Sequence, residues 1–422
     1  MKELKIIKKQ ILLSIIFIVI FQCFSFGQGS SYSGPYTASA PIVKNGVNNI
    51  TISGLQISNT SGPCITLINC SNITIQNCKL GPSTGNAVDL NNCTNITVTN
   101  CSMANIASGI HAYMGSGIKF IYNDIQNVVG PYPRGQMAQF DHVSGTGNRI
   151  NFNSCDNISG QSNPEDLINI YMSNGTANDP IQACGNWLRG GGPSLTGGGM
   201  LVGDNGGTYQ LVENNVCVNT GHEGIQIAGG HDITVRNNKV YSQQTTVSAI
   251  GVVVAKEPTA PCTVENNQIN WINSQGVQKN LYNAGAASVI TGWSTNSNNT
   301  SLNSSILPVK IIGRGALQDT IPTKPDTIIT KPDTIPTTKP VVVNLKIYPN
   351  PVYSSSLIVT SPTPNIDKIV IYNSEGLKMI ETSINKSKTV IDTSILAMGV
   401  YHVKILENEK ILEERKITIV KN

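Results

Sequence analysis

Along most of the chain apolar residues alternate with polar ones in short runs, and the runs recur. Ile65 to Cys78 reads Ile-Thr-Leu-Ile-Asn-Cys-Ser-Asn-Ile-Thr-Ile-Gln-Asn-Cys, and Val88 to Cys101 repeats it without a gap as Val-Asp-Leu-Asn-Asn-Cys-Thr-Asn-Ile-Thr-Val-Thr-Asn-Cys. Cys70 to Cys93 and Cys78 to Cys101 are both steps of 23 residues. Alternation with period two marks strands with one buried face, whereas helices would need a period of 3.6. A fixed repeat in the twenties, made of two such strands and Asn-rich turns, predicts a solenoid in which each repeat buries its apolar face on its neighbours. The pattern loosens but continues, with strand starts near Ile110, Ala138, Ile168, Met200, Ile225 and Val252. A Leu-rich repeat consensus is absent.

Asn pairs follow many second strands, as at Asn214-Asn215, Asn237-Asn238 and Asn266-Asn267. Asn tolerates the left-handed turn conformation and can bond to its equivalent one repeat away. Nine cysteines lie beyond residue 27, an odd number for a disulfide framework in an exported chain. Their spacing predicts small apolar residues stacked in a core. With these features, residues 43–312 resemble the right-handed parallel β-helix superfamily that includes pectate lyases, polygalacturonases, alginate lyases and alginate epimerases. The resemblance implies an all-β fold and leaves the chemistry open, since no short motif of the characterised lyase or polygalacturonase families is present.

Both ends read differently. Lys2, Lys5, Lys8 and Lys9 precede an apolar run from Ile11 to Ile20, and Ser25 and Gly27 offer small residues for cleavage, so 1–27 is expected to be a signal peptide. Gln22 before Cys23 argues against a lipoprotein site. Residues 318–340 repeat Lys-Pro-Asp-Thr-Ile from Lys324 and from Lys331, which predicts an extended Pro/Thr-rich linker. Residues 344–422 then alternate again at Ile369 to Tyr372, Gly399 to Lys404 and Lys416 to Lys421, and predict a small β-sandwich-like domain. Its Tyr-Pro-Asn-Pro start at Tyr348, its Asn-Ser-Glu-Gly turn at Asn373 and its Gly-Val-Tyr strand at Gly399 resemble the C-terminal sorting domain (type A) of the type IX secretion system. That resemblance implies the type IX machinery as partner, followed by release or attachment to the outer-membrane surface.

Composition agrees with strands and tight turns: 13% of residues are charged, 5% are aromatic and 39 are Gly. The net charge is +4, with much of the positive charge at the two ends, so nothing points to nucleic acid. A monomer is expected.

Repeat length locates candidate chemistry. The steps from Ile65 are 23, 22, 28, 30, 32 and 25 residues, so the repeats between Ile110 and Met200 are the long ones. Solenoid insertions form loops, often on one binding face. Here the extra residues carry Arg134, Glu165, Asp166, Arg189, His222 and Glu223. Alternation puts Asp89, His111, Gln139, Asn169, Leu201 and Gln226 in one outward column and Tyr113, Asp141 and Tyr171 in the next, with His142 and Asp204 at the following turn. His111 reads as incidental. The expected partner is a polysaccharide, and the foremost expectation is a lyase acting on a uronic acid by β-elimination. Asn169 and Arg189 would bind its carboxylate, with Arg134, Glu165, Glu223 and Gln226 as further substrate contacts. His142 or His222 would be the base and Tyr171 the acid. Asp141, Asp166 and Asp204 could hold a Ca²⁺, with Asp166 and Asp204 as the metal pair. An epimerase would share this machinery. A glycoside hydrolase would instead pair Asp141 with Asp166, or Glu165 with Asp204. A non-catalytic adhesin predicts uniform repeats, which the long ones oppose.

Overall fold

The computed structural model describes residues 29–313, apart from 132–134, 256, 260 and 285–289, and the strands of a C-terminal domain between 346 and 419. The expected signal peptide and Pro/Thr linker, and the Pro-Asn-Pro after Tyr348, lie outside the described residues. The chain falls into two compact units, Met1–Thr323 and Lys324–Asn422.

Among the described residues, the first unit is a solenoid of 28 strands in one continuous parallel sheet. Each coil contributes a strand to three ladders. In the first, Ile65 pairs with Val88, Val88 with Ile110, Ile110 with Ala138, Ala138 with Ile168, Ile168 with Met200, and Met200 with Ile225. These are the strand starts that alternation predicts. The second ladder stacks Thr74, Thr97, Lys119, Arg149 and Gln182, and the third stacks Lys79, Ser102, Asp124, Ser154 and Trp187. The inward column of the first ladder is apolar and sealed: Ile65, Val88, Ile110, Ala138 and Ile168 have no exposed surface. Each Ile or Val so buried contributes roughly 1.5–3 kcal/mol.

The nine cysteines of the described residues are all reduced and buried. Cys78 and Cys101 hold one inner corner on the early coils, and on the next coil Asn123 takes that place, its Oδ1 accepting from Cys101 N at 3.0 Å. From there an asparagine ladder runs through the interior. Asn123, Asn153, Asn186, Asn215, Asn238 and Asn267 each donate Nδ2 to the Oδ1 of the next, at 2.8–3.0 Å, ending on Asn296. Each Oδ1 also accepts the backbone N–H of the preceding Asn, as Asn186 does from Asn153 at 3.0 Å. The first Asn of each predicted pair is in the left-handed region, as Asn214 at φ 56°. The second is the buried ladder member, so each pair divides turn and core duties between its two residues.

The described end of the solenoid folds back along the third ladder. Leu307 and Ile311 pack with Trp187 and Val218, and Gly313 N donates to Asp124 Oδ2 at 2.7 Å. Burial pushes Asp124 up to about 7, while the bonds from Gly313 and Ser30 and the Lys310 charge oppose that shift.

The second unit has two antiparallel sheets, one of Lys346–Tyr348, Ser356–Thr360 and Lys388–Asp392, the other of Lys378–Ser383, Lys368–Asn373, Gly399–Glu407 and Lys410–Ile419. Leu357, Ile369, Ile371, Val403, Ile405 and Ile417 form its core. The strands predicted at Ile369, Gly399 and Lys416 are all present.

Candidate active site

The outward face of the first ladder carries the two predicted columns. Asp89, His111, Gln139, Asn169, Leu201 and Gln226 stand in register on successive coils. The second column runs Tyr113, Asp141, Tyr171 and then Asp204. Asp204 is therefore a column member and not a turn residue. Leu201 pairs with Asn169 but Asp204 with Tyr171, so one extra residue is taken up between them. Gly203 accommodates this bulge at φ 61°, where a Cβ would stand 2.1 Å from Gly229 O.

Side chains converge around these positions. Asn169 Nδ2 donates to Asp166 Oδ2 at 3.1 Å and to Asp204 Oδ2 at 2.9 Å, which holds those two oxygens within about 6 Å of each other. Gly198 N donates to Asp166 Oδ1 at 3.1 Å. Asp166 is almost wholly buried, and burial pushes it up to about 8; the Asn169 and Gly198 bonds oppose the shift, and the Glu165 and Asp204 charges add to it. Asp204 is half-buried and also raised, mainly by burial, with Asp141 adding to it and the bonds from Asn169 and Asn205 opposing it. His142 Nδ1 lies 2.5 Å from Asp141 Oδ1, and its ring sits between Tyr113 and Tyr171 with centroids 5.8 and 5.9 Å away. Asn205 Nδ2 donates to the Tyr171 hydroxyl at 3.0 Å. Beside them opens a cleft of about 620 Å³, lined by Tyr171, Asp204, Asn205, Gln226 and Glu257 among others.

Sequence reasoning undervalued His111. Its Nδ1 lies 3.2 Å from Asp89 Oδ1 and its Nε2 3.6 Å from Asp141 Oδ2, so it bridges two carboxylates of the face. The signal was present, since Asp89 and His111 are column neighbours by repeat length.

Arg189 is a correction. Trp187–Arg189 is a strand of the third ladder, not part of the loop beside the first, and the extra length of that coil follows it at Gly190 to Gly197. The guanidinium consequently stands over its ladder neighbour, with Nε on Asp156 Oδ1 at 2.8 Å and Nη2 on Asp156 Oδ2 at 2.7 Å. It also donates to the carbonyls of Pro308 and Val309 at 2.9 and 2.7 Å. It anchors the folded-back end and does not reach the cleft. His222 and Glu223 pair with each other at 2.8 Å and do not line the cleft. That contact is the main cause of a raised His222, which favours its protonated form and leaves less of it free to accept a proton. Glu165 lies on the loop side of the ladder. Arg134 lies outside the described residues.

Asn169 donates to oxygens of both Asp166 and Asp204 that a cation would need, and among the described residues no group of three or more His, Cys, Asp or Glu could hold a metal ion. Calcium enters no step below.

Comparison with known proteins agrees with this architecture. Residues 41–205 match the family of right-handed beta helix regions, and residues 346–421 match the secretion system C-terminal sorting domain. No curated protein matches the chain. Among solved structures, the catalytic domain of a GH87 alpha-1,3-glucanase in complex with tetrasaccharides is 14% identical, covering 60% of this chain and 50% of that one, with a TM-score of 0.46. The tailspike protein of E. coli bacteriophage HK620 in complex with pentasaccharide is 11% identical, covering 88% and 81%, with a TM-score of 0.35. The chain thus spans about half the length of the glucanase domain it matches. From its ladders and from these two family matches, the chain is a right-handed parallel β-helix protein that carries a secretion-system sorting domain at its C-terminus.

Proposed function

We propose that the β-helix is an exported polysaccharide-cleaving enzyme that hydrolyses a glycosidic bond in the cleft beside Asp204. The observation that carries this reading is the pair Asp141 and Asp204, two coils apart in one outward column with Tyr171 between them. Two inter-strand spacings put their backbones roughly 10 Å apart. That suits the wider carboxyl spacing of glycosidases, roughly 6.5–9.5 Å, which leaves room for a water molecule and inverts the anomeric centre. Asp204, raised by burial, keeps its proton to higher pH and donates it to the leaving oxygen. Asp141 takes a proton from the water that attacks the anomeric carbon. Asp166 is buried and acts through Asn169 as a positioning residue for Asp204. The rings of Tyr113, His142 and Tyr171 offer apolar faces for sugar stacking.

β-Elimination is the second reading, favoured by His142 and Tyr171 lying 5.9 Å apart as base and acid. It requires a group that neutralises the uronate. No Lys or Arg is among the described residues that line the cleft, and Arg189 is held by Asp156. The test is a panel of neutral and uronic-acid polysaccharides incubated with the intact protein. New reducing ends without ultraviolet absorbance are expected. Absorbance from an unsaturated product would establish elimination instead, and no cleavage of any glycan would leave a binding module.

A further inference from the structure

Past Asp204 the outward face of the first ladder changes character. Its second column, which holds Tyr171 and Asp204, continues as alanines. Ala228 N donates to Val202 O, Ala255 N to Ile227 O and Ala284 N to Val254 O, each at 2.9 Å, which stacks the three alanines on successive coils. Ile227 and Val254, the residues before two of them, have no exposed surface, so the alanines face outward. Gly229 and Gly230 follow Ala228 and line the Asp204 cleft with it and with Ala255. Side chains this small leave a trough that runs on from the cleft across the remaining coils of the ladder. The first column forms one flank of the trough, with Leu201, Gln226, Val253 and Tyr282 in register.

Tyr282 stands at the far end of that flank, on Leu281–Asn283, the last strand of the first ladder among the described residues. It is 56% exposed, and among the described residues no other aromatic side chain is as open to water. Val253, its neighbour on the coil before, is buried, so the column passes from a packed residue to an open ring in one step. A Tyr ring has only two side-chain torsions and is carried here by a strand, so it presents a large apolar face at small entropic cost. The C–H face of a sugar ring can stack on such a face. Three inter-strand spacings separate Tyr282 from Leu201, on the coil that carries Asp204, which is roughly 14 Å along the stack.

We propose that Tyr282 is the stacking platform of a distal glycan subsite, taking a pyranose ring of the chain that lies in the alanine trough and is cleaved at Asp204. The proposal rests on the reading of the cleft as a glycan-cleaving site and adds a length requirement to the substrate. A glycan of two units bound at Asp204 stays within the cleft, whereas a longer one follows the trough and reaches the ring.

The experiment uses the full chain carrying D204N, which keeps the glycan intact, with and without Y282A or Y282F. Calorimetry measures binding of gluco-, manno- and galacto-oligosaccharides and of galacturonides, each of two and of six units. At least one hexamer is expected to bind, to lose about tenfold in affinity with Y282A and to stay within about threefold with Y282F, because stacking needs the ring and not its hydroxyl. The matching dimer is expected to change by less than about twofold with either variant. Unchanged hexamer affinity in Y282A would overturn the subsite, and so would an equal loss for dimer and hexamer, or binding by none of the hexamers. A loss in Y282F as large as in Y282A would overturn stacking as its basis. A lower melting temperature in Y282A with unaltered binding would make the ring a cap on the last coil instead. The cleft reading is judged separately: D204N retaining cleavage sinks that reading whatever Y282A does, and Y282A binding hexamers as its parent does sinks only the subsite.

Discussion

Replacing Asp166 by Asn removes one titrating group from the interior and isolates what the candidate site costs the fold. Asp166 is 4% exposed, and burial carries its carboxyl from 3.8 to about 8. The folded protein therefore holds a proton there across a range in which the unfolded chain has lost it. Stability tied to this group is fully present below about pH 4 and is lost progressively as pH rises through about 8. At roughly 1.4 kcal/mol per unit, the whole span amounts to a loss on the order of 5 kcal/mol. D166N keeps an oxygen for the Gly198 N–H and cannot titrate. The assay is urea unfolding of wild type and variant at pH 4, 5, 6, 7 and 8. The wild-type midpoint is expected to fall relative to the variant as pH rises, with the two curves diverging most between pH 5 and 8. Parallel curves would show that Asp166 is not held protonated in the folded state, and would remove the argument that this buried acid is retained for its effect on Asn169 and Asp204.

Other expectations follow from the same geometry. D204N and D141N should each lower cleavage by about 10²–10⁴-fold while leaving the far-ultraviolet spectrum unchanged, and D204N should remove the alkaline limb of the pH–rate profile; activity within tenfold of wild type in either variant would refute the assignment. N186A breaks four bonds of a fully buried ladder member and should cost about 3–5 kcal/mol in denaturant unfolding, whereas N72A, which removes only the exposed bonds of Asn72 to Asn49 and from Asn95, should cost about 1 kcal/mol or less; equal costs would mean that the inner ladder is not a stabilising element. R189A leaves Asp156 and the Pro308 and Val309 carbonyls without their donor, so trypsin should cut faster at Lys310, with a loss of about 1–3 kcal/mol in stability, since the pair is partly exposed. Retained cleavage activity in R189A would agree with its place on the third ladder; a loss of a hundredfold with unaltered proteolysis would return it to the active site.

The alternation of apolar residues and the 23-residue step between Cys70 and Cys93 are local facts, and they suffice for the solenoid, its strand starts and its two outward columns. Side-chain period in a strand is strictly two, so a column that alternation predicts on one coil is carried to the next by register alone. Long coils announced where loops gather, for the same reason. What lay beyond the sequence was everything set by a shift of one residue or by a third ladder. Whether Asp204 ends a strand or joins the column depends on a bulge at Gly203, whose place only the pairing with Tyr171 defines. Whether Arg189 belongs to a loop or to a strand depends on its pairing with Asp156, and that one assignment moves its charge away from the cleft. The meeting of Asp166 and Asp204 on a single Asn169 amide joins residues from two coils, and the burial that raises both acids exists only when the coils stack. Residue types and their period thus determined which groups face outward; tertiary stacking decided which of them touch, because contact and desolvation depend on distances between coils that no single repeat contains.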